Sequence, residues 1–78
     1  MDQEKFIAKA KELIAKDYHI THDELKVTWL VYAAGNNKAL LAGPYEFYFE
    51  ATYIKQANVI AIDRYNMVDH GEYHLREV

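Results

Sequence analysis

The sequence predicts an α+β fold in two layers: one N-terminal helix packed on an antiparallel meander sheet of four to five strands. Three observations carry that expectation. Apolar residues near the N-terminus recur at helical spacing, the tract from Lys26 to Tyr65 is rich in β-branched and aromatic residues, and short turn-forming segments cut that tract three times. A chain of 78 residues has room for one hydrophobic core, so residues 1–78 read as a single domain.

The helix is expected from Gln3 to Lys16. Phe6, Ile7, Ala10, Leu13 and Ile14 form a single apolar stripe, and Lys5, Lys9 and Lys16 fall on the solvated side. Asp2 is placed to cap the N-terminus, and Glu12 with Lys16 has the spacing of an i,i+4 ion pair. A polar connector follows from Asp17 to Leu25. Within it Thr21 and Glu24 have capping-box spacing, which predicts one short helical turn.

Strand one is expected at Lys26 to Ala34 and strand two at Ala39 to Ala42. Between them Asn36 and Asn37 take the turn centre, because asparagine tolerates the positive φ of tight hairpins. Gly43-Pro44 turns into strand three, Tyr45 to Ile54, with Pro44 and Tyr45 as the central pair. Lys55 to Asn58 turns into strand four, Val59 to Tyr65, and Glu72 to Arg76 carries a weak signal for a fifth.

Those turn centres fix a register. It gathers Val27, Trp29, Val31, Ala33, Leu40, Ala42, Phe47, Phe49, Ala51, Tyr53, Ile60 and Ile62 on the face that the helix covers. The opposite face receives Thr28, Leu30, Tyr32, Leu41, Tyr48, Glu50, Thr52, Asp63 and Tyr65. A solvated face is normally lysine, glutamate, threonine and serine. Leu30, Tyr32, Leu41, Tyr48 and Tyr65 are therefore the candidate protein interface, since tyrosine supplies contact area at low entropic cost. The expected partner is another protein or a second copy of the chain.

Charge and composition exclude several classes. The net charge is −3 and no basic stripe is present, which argues against nucleic acid. There is no run of eighteen apolar residues and no signal peptide, so no membrane association is expected and the cytoplasm is the default. Cysteine is absent, which removes disulfides, thiolate metal sites and cysteine nucleophiles. Serine is absent too, and no phosphate-binding glycine loop is present. No catalytic residue, no cofactor and no metal ligand is assigned. Glu46, Glu50 and Asp63 are candidates for a carboxylate cluster on the open face, but ordinary solvated acids give the same pattern. The alternative from another class is a small metal-dependent enzyme using His19 and His22 with Asp23 and Glu24, a donor set that suits zinc.

Val27-Thr28-Trp29, then Asn36-Asn37-Lys38-Ala39-Leu40-Leu41, and again Tyr48 to Tyr53, carry a family resemblance. In these segments the chain resembles a domain-of-unknown-function family of small uncharacterised proteins associated with phages and prophages of Gram-positive bacteria. The likeness runs from the N-terminal helix to Tyr65. It brings no catalytic residues. It implies a phage accessory gene, whose product would bind a host protein.

Overall fold

The computed structural model describes residues 1–76. Helix α1 (Gln3–Tyr18) leads through a single 3₁₀ turn (His22–Glu24) into four strands: β1 (Lys26–Ala33), β2 (Asn36–Ala42), β3 (Phe47–Ile54) and β4 (Val59–Asn66). They form one antiparallel sheet in the order β1-β2-β3-β4. Residues 67–76 have no regular structure, so the weak strand signal at Glu72 to Arg76 does not become a fifth strand.

Helix α1 starts where the sequence places it. The Asp2 carboxylate accepts from the Lys5 N–H at 2.9 Å. It runs two residues further than Lys16 and ends at His19, which takes a left-handed conformation (φ 55°). Tyr18 stays helical with its ring tilted against that of Phe49, 5.0 Å between centroids. The ion pair on the outer face joins Lys9 to Glu12 (3.4 Å), in place of the expected Glu12 and Lys16. The capping box forms as expected: the Glu24 carboxylate accepts from the Thr21 N–H at 2.9 Å.

The stripe Phe6, Ala10 and Ile14 is fully buried against Ala39, Leu41, Phe49, Ala51 and Tyr53. Ile20 and Leu25, which lie in what reads as a polar connector, close one end of this core. Tyr53 also fixes the third turn, because its hydroxyl donates to the side chain of Asn58 at 3.0 Å.

Two turns differ from expectation, and one of them reorganises the faces. The first hairpin closes on Ala34-Gly35, both at positive φ (53° and 81°), with Ala33 opposite Asn36. Asn36 and Asn37 are therefore β2 residues, not the turn centre. The second hairpin closes one residue later than expected. The Gly43 N–H donates to the Phe47 carbonyl at 2.9 Å, enclosing Pro44, Tyr45 and Glu46, of which the last two are left-handed (φ 60° and 64°). That extra residue places Leu41 opposite Phe49 and Leu40 opposite Glu50. A slip of one residue turns the side chains of β2, and of β1 from Trp29 to Tyr32, to the other face, while the bulge keeps Val27, opposite Leu41, on the helix side as expected. Leu40, Ala42, Trp29 and Val31 consequently lie on the open face, while Leu41 and Leu30 lie on the helix side. Strands β3 and β4 keep the expected faces, with Tyr53 opposite Ile60.

The shortest dimension of the molecule is 20 Å. One sheet and one helix account for it, since each layer is about 10 Å thick. The helix lies over β2, β3 and β4, which leaves β1 projecting beyond it.

Candidate functional site

The open face is built in rows by the strand register. Trp29, Leu40, Glu50 and Asp63 form one row; Val31, Lys38, Thr52 and Ala61 form the next. Lys26, Ala42, Tyr48 and Tyr65 form a third, with the two tyrosines directly opposed across β3 and β4. Trp29, Tyr48 and Tyr65 are 48%, 37% and 52% exposed. A β-bulge between Val27 and Trp29 bends β1 at one end of this surface, and the Thr28 hydroxyl holds it by donating to the Leu40 carbonyl at 3.0 Å. The charges are sparse. The Lys38 ammonium pairs with Glu50 at 3.3 Å, which leaves Asp63, opposite Glu50, as the uncompensated charge of the row.

Of the five residues expected at the interface, Tyr48 and Tyr65 lie together on this face. Leu41 does not: it is fully buried under the helix, because the longer second turn rotates it inward. Leu30 and Tyr32 share that rotation and face the helix side, where β1 runs past the helix. They are 37% and 58% exposed there. Trp29 and Leu40, assigned by the pattern to the core, take the positions on the open face that Leu30 and Leu41 vacate.

Beside Leu30 a shallow groove of about 510 Å³ separates β1 from the helix, lined by Ile7, Ala8, Lys11, His22 and Asp23 among others. A smaller hollow of about 310 Å³ sits where the Arg64 guanidinium lies over the rings of Tyr18 (5.4 Å) and Phe47 (5.3 Å). There the arginine shields the aromatic end of the core. His19 is the helix C-cap and His22 opens the 3₁₀ turn, and both are exposed. Among the described residues no three histidine or carboxylate side chains gather as a metal site. Glu46 lies in the second turn, away from Glu50 and Asp63, so the three acids do not form one cluster. No helix among the described residues is long and apolar enough to cross a membrane.

Residues 3–75 match a family of unknown function, DUF6275. The chain belongs to that family. No curated protein and no solved structure matches it. The matched span takes in α1, all four strands and the segment that follows β4, so the DUF6275 unit includes both the open face and the projecting edge of β1.

Proposed function

We propose that this DUF6275 protein is a non-enzymatic protein-binding module whose open sheet face is the contact surface. The observation that carries the reading is the row structure of that face, where Trp29, Leu40, Tyr48 and Tyr65 lie uncovered around one ion pair. Aromatic anchors with a sparse polar complement are the composition of interface centres. Glu50 and Asp63 set the partner's chemistry. It presents an apolar centre with a basic residue that meets Asp63. A phosphate backbone fits poorly, since Lys38 is already held by Glu50 and Asp63 offsets Lys26, the other lysine of this surface. The finer reading is a phage or prophage accessory protein that acts on a host protein in the host cytoplasm. The resemblance at Val27 to Trp29, Asn36 to Leu41 and Tyr48 to Tyr53 supports it.

A photo-crosslinking side chain at Tyr65 tests the surface, with Tyr45 as the control because that turn residue is 85% exposed but lies outside the three rows. Expressed in cells, the Tyr65 probe is expected to give one discrete adduct and the Tyr45 probe none. Replacing Tyr48 by serine should then reduce the adduct strongly while the far-UV circular dichroism stays unchanged. Equal labelling from both positions, or no adduct at Tyr65, refutes the assignment.

A further inference from the structure

Among the described residues strand β1 is uncovered on three sides. Its open-face residues include Trp29, its helix-side residues Leu30 and Tyr32 lie past the helix, and its outer edge has no neighbouring strand. From Trp29 to Ala33 it contains no charge, no proline and no glycine. Natural edge strands are normally blunted by charges, proline or bulges, because an unprotected edge adds another strand; in β1 the bulge and Lys26 lie at its start, outside this stretch. The other edge of this sheet is guarded: β4 carries Asp63 and Arg64 mid-strand. The asymmetry singles out β1 as the edge that pairs.

The geometry points to a homodimer in which β1 pairs antiparallel with β1 of a second copy, centred on Val31, to give a continuous eight-stranded sheet. The ladder already present selects that centre. Ala34-Gly35 is a two-residue turn, so Ala33 and Asn36 close the hairpin as a bonded pair and bonded pairs recur at Val31 and Lys38. The N–H and C=O groups of Leu30 and Tyr32 therefore point out from the free edge. An antiparallel copy centred on Val31 sets each Leu30 against the other's Tyr32, so all of these groups are satisfied by one two-fold operation. Tyr32 of each copy then lies beside Leu30 of the other, over the groove lined by Ile7 and Ala8. No like charges meet along the seam. This pairing uses the edge of β1, not the rows of Tyr48 and Tyr65, and does not depend on the function proposed above.

A short edge pairing is a small interface, so micromolar affinity is expected. The full chain (9.1 kDa) should sediment at twice its monomer mass at about 100 μM and dissociate on dilution. Because the chain has no cysteine, one introduced thiol reports the register directly. Val31→Cys sets two thiols across the two-fold axis with Cα atoms about 4.5 Å apart, within disulfide range. It should form a covalent dimer in a glutathione redox buffer, whereas Tyr45→Cys and Tyr48→Cys stay largely monomeric. Tyr32→Lys should weaken the dimer tenfold or more with an unchanged circular dichroism spectrum. A wild-type chain that stays monomeric, with Val31→Cys no more crosslinked than Tyr45→Cys, overturns the proposal. So does preferential crosslinking of Tyr48→Cys, which would mean self-association through the open face. Heterodisulfide formation between Val31→Cys and Leu75→Cys chains, with no Val31→Cys homodimer, also overturns it, since the edge would then hold the C-terminal segment.

Discussion

Leu40 and Leu41 are adjacent, chemically identical and opposite in role, which makes truncating each to alanine a direct measure of the sheet's register. Leu41 is fully buried among Phe6, Ile14 and Phe49, whereas Leu40 is partly exposed on the open face beside Trp29. Removing a buried leucine side chain loses its transfer free energy and leaves a cavity, at a cost of about 2–5 kcal/mol. Complete burial of leucine is worth about 1.5–3 kcal/mol, so losing the partial burial of Leu40 should cost about 1 kcal/mol or less. At about 0.05–0.15 kcal/mol per residue the whole domain has about 4–12 kcal/mol of stability. Leu41→Ala therefore removes a large share of it, and Leu40→Ala does not. Urea unfolding followed by far-UV circular dichroism is the assay, because Trp29 fluorescence would respond to Leu40→Ala directly. The expected result is a midpoint far lower for Leu41→Ala at a similar slope m, with a gap of about 2 kcal/mol between the variants. If Leu40→Ala proves as damaging as Leu41→Ala or more so, β2 presents its even-numbered residues to the helix and the faces described here are inverted.

Asn37 is buried and its side-chain oxygen has no hydrogen-bond partner among the described residues, so Asn37→Val should stabilise the domain by about 1 kcal/mol in the same assay. Destabilisation by a similar amount would show that the amide is paired in solution. Gly43→Ala should cost about 1–3 kcal/mol, because a methyl group there comes within 2.9 Å of the fully buried Phe49 ring. An unchanged melting temperature would mean that the second turn can shift away from Phe49.

The helix, the meander and the faces of β3 and β4 were legible because their residues differ sharply from face to face. Phe47, Phe49, Ala51 and Tyr53 alternate with Tyr48, Glu50 and Thr52, and either closure of the third turn leaves Tyr53 facing an isoleucine. Strand β2 offers no such contrast. Ala39-Leu40-Leu41-Ala42 reads the same from both faces, and β1 is apolar on both. Their orientation rested entirely on the length of the turn after Ala42. Proline favours the first central position of a two-residue turn, but this loop holds three residues and sets Tyr45 and Glu46 left-handed, which non-glycine residues adopt uncommonly. Lys38 held the available signal. Had β2 been extended back to Asn36, the expected register would have put that ammonium under the helix beside Ala51. The observed one pairs it with Glu50 on the open side. Placing Asn36 and Asn37 in a turn hid this test.

The same geometry explains why the sheet is left with unsatisfied surface. A helix is about 10 Å across and strands lie about 4.8 Å apart, so one helix cannot span four strands. Centred over β2 to β4, it seals Leu41 and Phe49 but abandons Leu30 and Tyr32 on β1. Pairing β1 with its copy would cover the abandoned strand without touching Tyr48 or Tyr65, and would set two open faces side by side. A target with two matching sites would then bind with an effective concentration fixed by the sheet, so avidity should fall when Tyr32→Lys breaks the dimer even though the rows of the open face are intact. Loss of single-site affinity in that variant would instead mean that Tyr32 contacts the partner and that the two surfaces are one.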